Sequence, residues 1–419
     1  MQNKILVLKN YNNFNYYFKI YLSCLLFFGI FWLHNKHVIG NDSSMSEYLI
    51  NYQGGFTRRG LPGELIYILS KFFDLKFRFV AFLFQSIAYS IFLFFIYKTL
   101  KNFKKNLIIS FAIFTPLFLL FPIAEIESLG RKETYLYLFF LLLINIKNSN
   151  KSNIFVLFIL PLVCLIYEEI ILFAPFIYVV LILKNKIKNF FGAFKILFLF
   201  LPSILLILYM MTFPLSSDGW VLMKDSLLNV FNEKCYMSCY LLVNNDVTFA
   251  NIEGMINYIW GGVNGIQIST FIFRYILIIA IGTFPLMLLS YHSTFNTYNF
   301  LYIFKLKKIF YLLLILWLPM IPYFIFGGDW GRWVNMMVTF ATIFYFYLYS
   351  NKLIIVDYKS ISKKLYFLNG KKKLIVAIFI IFSFGWNPKS TYVEDVASNP
   401  LYKIPYKTYK KISGLIGEP

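Results

Sequence analysis

Arginine is scarce in this chain: six residues against thirty-four lysines. Two of the six stand together in "GGFTRRG", Gly54 to Gly60. A guanidinium is permanently charged and presents planar, paired donors that match two oxygens of a phosphate or carboxylate, which lysine does not reproduce. Three more short stretches concentrate charge: "EIESLGRKE" from Glu125 to Glu133, "YEE" from Tyr167 to Glu169, and "GGDWGRW" from Gly327 to Trp333. The four together offer Arg58, Arg59, Arg131 and Arg332 for an anionic head group such as a diphosphate. Gly54, Gly55 and Gly60 would let the backbone approach that group closely. They also offer Glu125, Glu127, Glu168, Glu169 and Asp329 as carboxylates able to take a proton from a hydroxyl. In the Glu168–Glu169 pair, like-charge repulsion is expected to raise the pKa of one member.

Other reactive residue types carry less. His34 and His37 are three apart, but two histidines without further ligands do not make a metal site, and no Asp-x-Asp pair or His-rich cluster occurs. No metal and no cofactor is expected. Cys235 and Cys239, four apart, form a disulfide if their compartment is oxidising, whereas Cys24 and Cys164 lie in apolar runs and read as small core residues. Arg78 and Arg274 stand outside any motif and read as structural pairs or anchors.

The elements that must position these groups follow from composition. The chain is 59% hydrophobic, 21% aromatic and only 14% charged, against about 25% charged for a soluble chain. Many apolar runs reach the roughly 20 residues that cross a bilayer. The fold class is therefore an all-α polytopic integral membrane protein, a single transmembrane domain over 1–419. The net charge of +21 is assigned to lysines in cytoplasmic loops rather than to nucleic-acid binding.

Apolar runs set against polar breaks predict eleven spans, near 17–33, 77–97, 106–124, 133–146, 153–167, 170–183, 190–212, 268–290, 309–326, 334–350 and 374–386. The first run is read as a retained helix, with a cytoplasmic N-terminus. Splitting 153–184 at Glu168-Glu169 puts its two flanking basic loops on one face. Three segments then lie outside: a first loop at 34–76, whose "LPGELIYILSKFF" reads as an interfacial amphipathic helix, a large loop at 213–267, and a C-terminal tail at 387–419. All four charged stretches fall on the outer side at one membrane depth. Ionisable groups there must pair with one another or line a wet cavity, so one outward-opening, anion-binding pocket is expected.

This layout of ten or more spans, a composition rich in Ile, Phe, Asn and Lys, and an enlarged late outer loop resembles the Wzy-type polymerases of bacterial O-antigen and capsular polysaccharide. It is similar as well to the GT-C glycosyltransferases that use lipid-linked sugars. In those enzymes the first outer loop carries an acid, as Asp42 or Glu47 would here, followed by an interfacial helix. The early position of one of the two large loops departs from the Wzy pattern.

The resemblance implies transfer of a growing glycan from undecaprenyl diphosphate to another lipid-linked repeat unit. The site would face the periplasm or exterior of the bacterial cytoplasmic membrane. The outer arginines would hold the diphosphate and a carboxylate would assist the acceptor hydroxyl. Membrane lipid and a chain-length regulator are the implied partners. The alternatives are a GT-C-type transferase using a polyprenyl-phosphate sugar and a lipid-linked-sugar flippase. The flippase fits less well, because the inner helix halves are almost free of acids and arginines.

Overall fold

The computed structural model describes residues 11–40, 43–101, 106–239, 268–296, 308–326, 329–368, 370–390 and 397–416. Its first half contains helices α1 (Tyr11–Ile39), α2 (Ser43–Tyr48), α3 (Leu61–Phe72), α4 (Phe77–Leu100), α5 (Leu107–Ile113), α6 (Phe121–Ala124), α7 (Glu133–Asn145), α8 (Ser149–Ile166) and α9 (Ala174–Asn185). The second half adds α10 (Phe190–Leu197), α11 (Leu201–Thr212), α12 (Ser217–Phe231), α13 (Ile268–Tyr291), α14 (Ile309–Trp317), α15 (Ile321–Phe326), α16 (Trp330–Ser350), α17 (Tyr358–Lys364), α18 (Lys372–Phe384) and α19 (Pro400–Ile416). Two antiparallel ribbons complete it, β1 (Ser293–Phe295) with β2 (Ile354–Val356) and β3 (Asn387–Pro388) with β4 (Ala397–Ser398).

This is the architecture of an all-α membrane protein. Four helical stretches, Asn15–His37, Phe77–Leu100, Ser149–Ile166 and Phe190–Thr212, are long and apolar enough to cross a membrane. Glu133–Asn145, Tyr275–Tyr291 and Ile309–Ile325 are apolar but shorter. Helix occurs at each of the eleven expected positions, and among the described residues those four meet the length and hydropathy that a span needs. The expected span at 106–124 is the clearest departure, because α5 stops at Ile113 and helix resumes only at Phe121. The cause is local: Pro116 disfavours helical backbone at the residue before it.

Breaking a helix inside an apolar bundle exposes backbone carbonyls that must find donors. Asn335, from α16, supplies two, its side-chain amide donating to the carbonyls of Leu117 (2.8 Å) and Phe118 (2.9 Å). The Thr115 hydroxyl in turn donates to the Gly282 carbonyl at 2.7 Å.

α16 is the central element, with nearly every residue from Trp330 to Leu348 buried. Phe340 stacks on Phe173 at 4.0 Å and 11° and tilts against Phe140 at 5.0 Å. These rings fix the α8–α9 connection and α7 to one flank of α16. The expected split of 153–184 is present as a helical hairpin. α8 runs out, a tight 3₁₀ turn spans Glu168–Phe173, and α9 returns. Its open end is closed by Asn153 and Asn185, whose amides donate to one another at 3.1 and 2.9 Å. Asn148 caps α8 by accepting from the Lys151 amide at 3.0 Å, a use of asparagine that satisfies a terminal N–H.

Two ends of the bundle follow from helix directions. α7 begins at Glu133 and α16 carries Arg332 in its first turn, and both end beside a lysine-lined hollow that Asn145 and Ser350 line. At 1.5 Å per residue the 21 residues of α16 separate these ends by about 30 Å.

Candidate functional site

The charged end is built from short, irregular pieces held by regular ones. α3 starts with "LP", where Pro62 occupies the first helical turn, a position whose N–H has no helical partner anyway. The turn before it carries Arg58 and Arg59. Arg59 has a positive φ of 61°, a left-handed conformation that is uncommon for a side-chain-bearing residue and is stored where surrounding contacts impose it.

Those contacts are specific. Arg59 Nε donates to both oxygens of Glu168 at 2.9 and 3.0 Å, and its Nη2 donates to Oε1 at 2.7 Å. Its Nη2 also lies 3.5 Å from Glu169. The guanidinium rests over the Tyr167 ring at 4.5 Å, and the Lys132 ammonium donates to the Arg59 carbonyl at 2.6 Å. Arg58 lies 3.8 Å from Glu168 and is 43% exposed, against 22% for Arg59.

A second arginine enters from α16. Arg332, only 8% exposed, sits 3.0 Å from Glu133 and 3.0 Å from Asp329. Its Nη2 donates to the Tyr167 hydroxyl at 3.1 Å, and that hydroxyl donates to Glu169 at 2.5 Å. Tyr167 thus links the two arginines through one ring. A third arginine closes the far flank: Arg131 donates to Glu47 at 2.9 Å, to the Ser43 hydroxyl at 2.6 Å and to the Glu127 carbonyl at 2.9 Å.

The expected convergence is therefore present for Arg58, Arg59, Arg332, Glu168, Glu169 and Asp329, and Arg131 adjoins them through Glu47. The convergence takes the form of compensated ion pairs. Arg59, Arg131 and Arg332 are each already engaged by carboxylate, and Arg58 is the most exposed of the four. Glu127 is exposed and contributes its carbonyl rather than its carboxylate. Glu125 faces the C-terminal segment, taking hydrogen bonds from Asn387 at 3.3 Å, Ser398 at 3.2 Å and the Lys403 ammonium.

The glycines serve the protein's own packing. A Cβ on Gly54 would fall 1.7 Å from the Gly219 carbonyl of α12, so its bareness admits that helix. Gly55 has φ 123° and turns the chain, and Gly60 faces the Tyr52 ring. Gly54 and Gly60 are thus taken up by the protein's own packing, whereas Gly55 is exposed. Cys235 and Cys239 are joined as a disulfide. Arg78 is paired with Glu233 at 2.7 Å and donates to the Gly40 carbonyl at 2.7 Å, a structural role as expected. Asp42, Gly327, Gly328 and the side chain of Arg274 lie outside the described residues.

Electrostatics divide the adjacent carboxylates. Burial alone would raise Glu168, but Arg59's charge and hydrogen bonds, with Arg58, overrule it and hold that carboxyl at about 2. Glu169 goes the other way: burial pushes it up to about 7 against the pull of Arg59 and Arg332. The expectation that one of the pair would rise is met, but burial is the main cause, and the like charge involved is Glu133 rather than Glu168. Burial likewise draws Lys132 down to about 7, opposed by Glu47. A carboxylate held ionised thus sits beside an acid that burial draws up and an amine that burial draws down.

Sequence reasoning missed Lys132, Glu133 and Tyr167 as members of the site, although all three lay inside the quoted stretches. Among the described residues no group of three or more metal-ligating side chains is close enough to hold an ion. No protein family, curated protein or solved structure matches this chain.

Proposed function

We propose that this chain is a membrane glycosyltransferase that polymerises lipid-linked oligosaccharide repeat units into surface polysaccharide, with an undecaprenyl-diphosphate glycan as donor and no metal or cofactor. One observation carries the reading: Arg58, Arg59, Arg332, Glu168, Glu169 and Asp329, from three separate stretches, meet at one end of a helical membrane bundle beside the amphipathic helix α3. In this reading the bundle crosses the bacterial cytoplasmic membrane eleven times, with its N-terminus inside and the charged end outside. The directions of α7 and α16, both running from arginines and glutamates to lysines, agree with it.

The roles follow from exposure and ionisation. Arg58, the exposed fork, meets the diphosphate and stabilises it as it leaves. Arg59, locked by Glu168, holds the positive field in place. Glu169 takes the proton from the acceptor hydroxyl, its neutral-range pKa suiting both loss and gain of a proton. A single-sugar transferase of the GT-C kind is the second reading, favoured by the order α1, buried Glu47 on α2, and α3 with Leu65, Ile68 and Phe72 exposed.

Deleting the gene and running surface polysaccharide on a gel separates these readings. Loss of the long ladder with one repeat unit retained supports polymerisation; loss of every repeat unit supports the single-sugar transferase; an unchanged pattern rejects both. Arg58→Lys is expected to insert and fold normally yet abolish the product. Full activity of that variant would remove the diphosphate contact from the proposal.

A further inference from the structure

The C-terminal helix α19 divides its residues by chemistry. At 100° per residue, Leu401, Tyr402, Pro405, Tyr406, Tyr409 and Ile412 fall on one side, and Lys403, Lys407, Lys410 and Lys411 on the other. The apolar side is uncovered: Tyr402 is 67% exposed and Tyr409 71%, with Leu401, Tyr406 and Ile412 exposed as well. Lys407 and Lys410 are also exposed. The helix is tethered at one point, where Lys403 turns inward to the buried Glu125 carboxylate. Ser398, just before the helix, bonds to the same carboxylate at 3.2 Å.

The tether fixes where the helix lies. Glu125 precedes the 3₁₀ turn Ile126–Ser128, Ser128 is hydrogen-bonded to Ser390 at 3.3 Å, and the Gly331 amide at the start of α16 donates to the Ser390 carbonyl at 3.0 Å. So α19 belongs to the charged end, the level at which membrane-crossing helices of the bundle begin and end. A bilayer surface is the environment met there. Tyrosines on one side and lysines on the other are what a helix lying in that surface needs, rings at the headgroup boundary and ammonium groups reaching phosphate.

We infer that α19 is an in-plane anchor that binds the anionic phospholipid surface at the charged end and, through Lys403 and Glu125, fixes the segment 125–131 beside the arginine cluster. Anionic lipid is the occupant because all four charged residues of the helix are lysines, with no acid among them. The inference also accounts for a basic segment at the end assigned to the exterior, where loop lysines are otherwise few. It stands on the geometry of the helix and does not require the glycosyltransferase reading.

The full chain, with Cys24→Ser to remove the exposed free thiol, is reconstituted in phosphatidylcholine–phosphatidylglycerol vesicles. A bimane label is placed at Tyr409→Cys or Lys410→Cys. Nitroxide phospholipid is expected to quench the Tyr409→Cys label severalfold more than the Lys410→Cys label, with iodide showing the reverse order. Replacing phosphatidylglycerol by phosphatidylcholine, or converting Lys407, Lys410 and Lys411 to Gln, is expected to remove most of the nitroxide quenching. Equal iodide quenching at both positions would overturn the inference, since the helix then lies in water. Protection from iodide without nitroxide quenching would overturn it too, since a protein surface then covers the face. Polysaccharide production is not measured, so failure here is distinct from failure of the proposed activity.

Discussion

The two ends of the bundle carry formal charge in opposite ways. At the charged end, Arg59, Arg131 and Arg332 are largely or wholly buried, and each is held within 3.0 Å by a carboxylate. At the lysine end, Lys98, Lys147 and Lys352 rim a hollow of about 680 Å³ with Asn145, Asn296 and Asn351. All three lysines are exposed there, and among the described residues no carboxylate lies within ion-pair distance of them. One end spends its charge on compensated contacts in a low-dielectric setting; the other leaves it in water. The same net positive composition thus contains two electrostatic regimes, and substitutions should separate them.

The sharpest break comes from Arg59→Ala. It leaves the largely buried Glu168 without its three hydrogen bonds and strips Glu169 of a neighbouring cation. Removing one member of a buried pair typically costs about 3–5 kcal/mol, so unfolding in detergent should show a large loss of stability. Adding Glu168→Leu should recover part of it, because replacing both members with apolar groups is often close to neutral. If Arg59→Ala costs no more than a surface lysine substitution, the charged end is not compensated in the way described.

Asn335 tests whether the break at 114–120 depends on the central helix. Asn335→Leu is nearly isosteric and removes both donors to the Leu117 and Phe118 carbonyls. Leaving buried acceptors unsatisfied is expected to cost about 1–3 kcal/mol, read by the same unfolding measurement. Protease accessibility around Thr115 should rise with it.

How far these features could be read in advance depends on range. The charged stretches were visible because arginine was rare, and the α8–α9 hairpin because 153–184 fits two antiparallel helices better than one. Partner choice was not visible. Arg59 meets Glu168 across 109 positions of sequence and Arg332 meets Glu133 across a still longer gap, and no local pattern encodes which carboxylate folds against which fork. Span lengths failed for a related reason. Hydropathy counted 106–124 as one run because Pro116 barely lowers its apolar average, yet that proline decides the backbone. Lys403 shows the same limit, since its Glu125 partner lies far away in the chain.

A pH series sharpens the comparison within the charged end. Glu169 is raised from 4.5 to about 7, so its contribution to stability is complete below pH 4.5 and is lost as pH rises through 7. Lys132 is lowered from 10.5 to about 7, so its contribution is complete above pH 10.5 and is lost as pH falls through 7. The two limbs predict a local minimum in stability near neutral pH. Neither limb should be steeper than about 1.4 kcal/mol per pH unit for one proton. Glu169→Gln should flatten the limb between pH 4.5 and 7 and leave the alkaline limb intact. Loss of both limbs in that variant would mean the two groups titrate as a single unit.

The smallest effect is expected at the other end. Lys98, Lys147 and Lys352 act on how the chain inserts rather than on how it packs, because a solvated ammonium without a buried partner has little stability to lose. Each Lys→Gln change there should stay within about 0.5 kcal/mol of the parent. Raising salt should alter the parent and these variants alike, since exposed charge is already screened within about 10 Å at 0.1 M. A loss approaching that of Arg59→Ala in any of the three would show that the 680 Å³ hollow is a second compensated site. The contrast between the ends would then reduce to a difference in which ionised partners the protein itself supplies.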